Sequence, residues 1–306
     1  MRAVVLAGGT GGAKLAAGMQ ELLGGDLSVV VNTGDDVELL GVHVSPDPDL
    51  VTYWLTGEID AERGWGIRGD SFTVFERLVE LGAPSWFGLS DRDLATCLRR
   101  RELLDSGERQ TDVQRRISAA LGARSHVLPM CDEPVRTRVR VAAGWVGLQE
   151  YLVREGAGPE VLEVSFDGIE AAAPSPDVAD AIATADAIVI GPSNPVISIG
   201  PILSLPGMRA AIEAARAPVV AVSPYVGGRI LKGPTNEFMR ASGRETNARG
   251  VATAYGGMIQ GMVVDADDPD PPPDGPQVLA IKTLMDTPAA RREVAERVLE
   301  FARSLA

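Results

Sequence analysis

The 306-residue sequence has only two cysteines, Cys97 and Cys131. They match no metal-ligand spacing and no Cys-x-x-Cys pair, so both read as small core residues in a reducing compartment. Excess positive charge is also lacking. The 29 Lys and Arg stand against 42 Asp and Glu, a formal net charge of −13. That argues against a nucleic-acid partner, because a phosphate backbone needs a basic surface. It leaves room for a small anionic substrate, since a site can be locally positive or carry a metal inside an acidic protein. Histidine occurs only at His43 and His126, in apolar surroundings without a third ligand, and both read as structural. No apolar run approaches the ~20 residues that a membrane span needs. Met1-Arg2 leads straight into the strand-like Ala3 to Ala7 without a signal-peptide pattern, so a cytoplasmic location is expected. No serine sits in a Gly-x-Ser-x-Gly setting, which leaves a hydrolase triad unsupported.

What is present is an alternation of short β-branched runs with helical patterns, the signature of a parallel sheet with crossover helices. Val4-Val5-Leu6, Val29-Val30-Val31, Ala187 to Ile190, Val219 to Val222 and Met262-Val263-Val264 read as buried strands, each followed by Gly, Pro, Asn or Asp. Leu15, Met19 and Leu22 repeat at helical spacing after the first glycines. Thr111 with Gln114, and Ser90 with Asp93, read as capping boxes, and Thr287-Pro288 opens a last helix carrying Val294, Val298 and Phe301. The expectation is one α/β domain over 1–306, with a Rossmann-like, mostly parallel sheet flanked by helices. Residues 45–180 read as an elaboration that includes a largely helical insertion. The acidic, proline-rich run 267–274 reads as a solvated loop.

Six segments carry candidate chemistry. Gly8-Gly9-Thr10-Gly11-Gly12-Ala13-Lys14 joins the first strand to the first helix, where backbone N–H groups and the helix terminus favour an anion. Its spacing is neither Gly-x-Gly-x-x-Gly nor a Walker loop, which argues against a nicotinamide dehydrogenase or a standard ATP site. Asn32-Thr33-Gly34-Asp35-Asp36 places two repelling carboxylates after the second strand, a pair suited to Mg²⁺. Ser45-Pro46-Asp47-Pro48-Asp49 adds further acids. Trp65 can stack a planar ring and Arg68 can hold a phosphate, although the same stretch also reads as a helix start. Asp91-Arg92-Asp93 is either a polar substrate cluster or an ordinary capped helix. Gly191-Pro192-Ser193-Asn194-Pro195 and Ser223-Pro224-Tyr225-Val226-Gly227-Gly228-Arg229 follow buried strands, and Lys232 lies beyond the second. Ser193 and Asn194 suit a nucleotide, and Arg229 or Lys232 suits a phosphate. Together these imply phosphoryl chemistry at the carboxyl edge of the sheet, with Mg²⁺.

These segments, with Leu128-Pro129-Met130 and the run Asp91 to Thr96, resemble in order the 2-phospho-L-lactate transferase family. The resemblance implies attack by the ribityl hydroxyl of 7,8-didemethyl-8-hydroxy-5-deazariboflavin on the distal phosphorus of a lactyl diphospho-guanosine. GMP leaves, in a step of coenzyme F(420) biosynthesis. Actinobacterial relatives use a phosphoenolpyruvyl donor instead. It further implies that Asp35 and Asp36 hold Mg²⁺ and carry the catalysis. Gly9, Thr10, Gly11, Gly12 and Lys14 lie near the phosphates or the ribityl chain. Asp49 and Arg92 approach the deazaflavin, and Asp91, Trp65 and Arg68 stand beside them as further candidate substrate contacts. Ser193 and Asn194 lie on the guanosine side, with Arg229 toward phosphate, and the chain is expected to be a homodimer. Ser90 and Pro48 depart from the glycine and leucine of the family pattern. The competing expectation is a nucleotide-sugar-binding regulator of the related gluconeogenesis-factor family, against which the run Trp86 to Thr96 counts.

Overall fold

Every second residue of the central strands goes to the same face of a sheet, and both faces are apolar here. Val4, Leu6, Ile188 and Ile190 enter one core, whereas Val5, Ala7, Ala187 and Val189 enter the other. The computed structural model describes residues 1–306 and shows the resulting three layers. Its seven strands are β1 (Ala3–Ala7), β2 (Leu27–Val31), β3 (His126–Pro129), β4 (Ala187–Ile190), β5 (Val219–Val222), β6 (Gly261–Asp265) and β7 (Gln277–Ile281). All pair in parallel, in the order β7-β6-β5-β4-β1-β2-β3. The α/β class and the five central strands are as expected. The edge strands β3 and β7 were not. β3 also lies inside 45–180, so that stretch is not wholly an elaboration of the sheet.

One face is covered by α1 (Gly9–Leu23), α2 (Pro46–Thr56) and the last helix, Pro288–Ser304. The last helix begins as read, with Thr287 accepting from the Ala290 N–H at 3.1 Å. Between β2 and β4 the chain adds α3 (Asp91–Asp105), α4 (Gln110–Ala120) and a three-stranded antiparallel sheet from Arg136–Val141, Gly144–Gly147 and Glu163–Asp167. The insertion is thus largely helical, with a small three-stranded sheet added to it. Neither expected capping box forms. Thr111 lies inside α4, where its N–H donates to Asp132, and Asp93 accepts from the Tyr53 hydroxyl at 2.8 Å. No helix is long and apolar enough to cross a membrane.

Candidate active site

The strand order reverses direction between β1 and β4, so the loops that leave these neighbours diverge and open a crevice at their carboxyl ends. The two loops touch at its floor. Gly8 N–H donates to Ser193 Oγ at 3.2 Å, and a Cβ on Gly11 would lie 2.0 Å from the Pro192 carbonyl oxygen. Gly11 and Gly12 thus let the two loops close on each other rather than admit a ligand. Gly9 differs, with φ +67° and open space where a side chain would be. A cavity of about 1010 Å³ opens above this floor. It is lined by Gly9, Thr10, Gly11 and Lys14 from the first loop and helix, and by Ser193 and Asn194 from the loop after β4. The N-cap residue Gly8 offers no side chain to α1, and Asp47 takes only the Gly9 N–H, which leaves the opening turn at Thr10 and Gly11, both lining the cleft, without a side-chain partner.

Two acids join them, Asp35 and Asp47. Asn32 ties them together, its Nδ2 donating to Asp47 Oδ2 at 3.0 Å and to Asp35 Oδ1 at 3.4 Å. Asn32 Oδ1 in turn accepts from Gly34 N–H at 2.7 Å, which holds the turn after β2. Asp47 Oδ1 accepts from Gly9 N–H at 2.6 Å, so the acid is fastened to the glycine loop. Burial pushes Asp47 up to about 6 against its hydrogen bonds from Asn32 and Gly9. Burial, followed by the charges of Asp47 and Asp36, raises Asp35 well above the usual carboxylate range. Two buried carboxylates, the charge of one raising the proton affinity of the other, form a set of hard oxygen donors that a divalent cation neutralises. Asp47 was not among the residues picked out from the sequence.

Asp36 faces the other way. Its carboxylate accepts from Ser45 Oγ at 2.7 Å, from Gln110 Nε2 at 2.8 Å and lies 2.9 Å from His43 Nε2. Three protein groups hold its carboxylate, and it does not line the cleft. Asp49 likewise turns inward, into a buried bidentate ion pair with Arg100. His43 sits between Asp36 and Glu38, not in apolar surroundings, and His126 is exposed.

The expected deazaflavin contacts also lie elsewhere. Asp91 Oδ1 accepts from Val74 N–H at 3.0 Å, and its Oδ2 accepts from Ser71 Oγ, capping the helix Thr73–Glu80. Asp70 returns the favour to α3, accepting from Arg92 N–H at 2.9 Å and Asp93 N–H at 3.3 Å. Arg92 donates to the Arg68 carbonyl and Arg68 to the Gly57 carbonyl. Trp65, 42% exposed, stacks on Arg63 at 4.9 Å. It is Arg63, missed in the sequence, that lines the cleft there. Arg229 is exposed on the hairpin Tyr225–Ile230, while Lys232 reaches the cleft.

The chain is similar to known proteins over nearly its whole length. The family model 2-phospho-L-lactate transferase CofD matches residues 3–275. A phosphoenolpyruvate transferase of Streptomyces griseus is 40% identical over 313 residues, covering 99% of this chain and 98% of that one. A 2-phospho-L-lactate transferase of Methanosarcina mazei is 40% identical over 266 residues, covering 87% of each. The fold is shared with a UPF0052-family protein of Bacillus halodurans at a TM-score of 0.64 and 18% identity, covering 97% of this chain and 98% of that one. On the match from residue 3 to 275 and on these identities, the chain belongs to the 2-phospho-L-lactate transferase family.

Proposed function

We propose that this cleft transfers a three-carbon phospho-acid, phospholactate or phosphoenolpyruvate, from its diphospho-guanosine ester to the ribityl hydroxyl of the deazaflavin precursor of coenzyme F(420). The observation that carries the reading is the buried pair Asp35 and Asp47, joined through Asn32 beside the opening turn of α1. Such a site offers both a cation and backbone N–H groups to a diphosphate. The names of the 40% identical relatives support the choice of transferred group.

Asp35 and Asp47 would hold Mg²⁺, which when bound offsets the charge of the diphosphate. Asn32 fixes both carboxylates, and the Asp47 bond to Gly9 holds the glycine loop at a set distance from them. The opening turn of α1 orients the non-bridging phosphate oxygens. Ser193 and Asn194 support the guanosine side. The hydroxyl oxygen bonds to the distal phosphorus, the bridging P–O bond breaks, and GMP takes the electron pair. The protein's contribution is placement and charge compensation without a covalent intermediate. A homodimer in the cytoplasm is part of this reading, and the exposed Val74 and Leu81 offer apolar surface to a second copy.

The test is turnover. Protein, Mg²⁺ and deazaflavin are incubated with each donor separately, and products are read by mass spectrometry. A mass gain of one phospholactyl or phosphoenolpyruvyl unit with GMP release supports the reading and names the donor. Folded protein that gives no product with either donor but binds a UDP-sugar overturns it in favour of the regulator.

A further inference from the structure

Lysine is rare in this chain. The 29 basic residues include lysine only at positions 14, 232 and 282. Lys282 sits on the surface against Asp267. The other two line the cleft, and neither is ion-paired. Lys14 Nζ lies 5.5 Å from the centre of the Trp54 ring, and the Arg291 guanidinium carbon lies 5.0 Å from the same ring. Lys232 Nζ donates only to the Gly64 carbonyl, at 3.2 Å. Trp54 also lines the cleft, is 7% exposed, and its Nε1–H has no acceptor.

This corner concentrates positive charge in a protein of net charge −13, and leaves a buried N–H donor unmatched. Cations gathered without a carboxylate partner are unfavourable in an empty protein and are relieved by an anion. Burial lowers the pKa of both lysines, and for Lys14 the Arg291 and Lys232 charges add to it, with Asp286 offsetting part. The corner is also set apart from the acid pair. Asp47 and Trp54 are seven residues apart on α2, about 10 Å at the helical rise of roughly 1.5 Å per residue.

We infer that the Lys14–Trp54–Lys232 end of the cleft is the subsite for the carboxylate of the transferred three-carbon acid. This rests on the donor reading proposed above. The diphosphate is matched by the acid pair with its cation and by the opening of α1. Guanine is uncharged and is read by donors and acceptors, not by cations. The carboxylate is the one anionic group of the donor outside the diphosphate. Two lysines from separate elements, each with three rotatable donors, suit a small carboxylate that arrives with the substrate. The corner then selects esters of acids over esters of simple alcohols.

The experiment compares two ligands by titration calorimetry in the presence of Mg²⁺. One is guanosine diphosphate esterified at its terminal phosphate with lactate. The other is the ethyl ester, which keeps the diphosphate and lacks the carboxylate. Wild-type protein is expected to prefer the lactyl ester by at least about tenfold. Lys14→Met and Lys232→Met are each expected to bring that preference within about twofold, with the ethyl ester bound as before. A preference that survives in both variants overturns the inference. So does parallel weakening of both esters, which assigns the lysines to the diphosphate. Wild-type protein that binds neither ester overturns the donor reading itself, an outcome distinct from loss of the subsite alone. If Lys14→Met fails to fold, Lys232→Met, on a loop, carries the comparison with its melting temperature as control.

Discussion

Asp49 and Arg100 form a bidentate ion pair that is almost wholly sealed from solvent, with Arg100 1% and Asp49 4% exposed. Arg100 also donates to the His43 carbonyl and to Gln114 Oε1, both at 3.4 Å, so one guanidinium joins α2, α3 and α4. Removing either partner leaves a buried charge uncompensated. Arg100→Met is expected to lower stability by about 3–5 kcal/mol, read from urea unfolding. The double variant Arg100→Met with Asp49→Leu should recover a large part of that loss. A single variant as stable as wild type would show the pair to be dispensable. This pair also disposes of the one acid and thiol cluster outside the cleft, Asp49, Asp93 and Cys97, because Asp49 is already neutralised and Asp93 accepts from Tyr53.

The proposed metal pair separates two acids that adjoin other carboxylates in the chain. Asp47→Asn is expected to reduce kcat by a factor on the order of 100 or more, since it removes a cation ligand and leaves one acceptor oxygen for the two donors Gly9 N–H and Asn32 Nδ2. Asp36→Asn is expected to act on stability instead. It places an amide against the Gln110 amide and breaks a buried network, at a cost of about 1–3 kcal/mol. Equal loss of turnover without loss of stability in Asp36→Asn would restore Asp36 to the site. Mg²⁺ should raise the melting temperature of wild type above about pH 6, where Asp47 is ionised, and lose that effect as pH falls below it. Asp47→Asn should show little of it at any pH.

Much of this architecture is legible in the sequence, and the failures have physical causes. The five central strands are apolar on both faces and therefore appear as unbroken β-branched runs. The edge strands lack that signal. His126–Pro129 has four residues and ends in proline, and Gln277–Ile281 is half-exposed. The glycine loop, Asp35, Ser193 and Asn194 reach the cleft because each directly follows a central strand. The choice between neighbouring acids is different. Asp47 and Asp49 both open α2, but residues two apart on a helix point to opposite sides. One faces the cleft and the other Arg100, and no pattern along the chain marks which. Asp35 and Asp36 diverge for the same kind of reason, through a turn set by Asn32.

Asp91 was open to two readings, and its bonds, with those of Asp70, are those of capped helices. Each carboxylate caps the helix that follows the other, so the pair works as a reciprocal clasp between Thr73–Glu80 and α3. The Ser71 hydroxyl and backbone N–H groups hold Asp91 below the usual carboxylate range, and backbone N–H groups hold Asp70 there against its burial. Asp91→Ala and Asp70→Ala should each lower the denaturation midpoint by removing a helix cap, while nucleotide affinity stays at the wild-type value. A selective loss of deazaflavin affinity in Asp91→Ala, with unchanged stability, would return the residue to substrate binding.

His43 gives the clearest pH signature. Burial alone would lower its pKa, but the bonds and charge of Asp36, with Glu38, outweigh burial and raise it. A raised folded pKa means that the folded chain holds the proton more tightly than the unfolded chain. The stabilisation is therefore complete below the unfolded value of about 6.5 and is lost as pH rises through the higher folded value. Asp47 is also raised, but its contribution is already lost by about pH 6. Burial lifts Asp93 to about 7 and raises Asp35 well above the usual range, so these acids add to the same fall, and the His43→Gln comparison isolates the imidazole. The wild-type melting temperature should thus fall as pH is raised from about 6.5 into the alkaline range. His43→Gln keeps a donor for Asp36 but cannot titrate, and its melting curve should be flatter across the same window. A slope equal to that of wild type in this variant would mean that the proton lost in that range comes from another group.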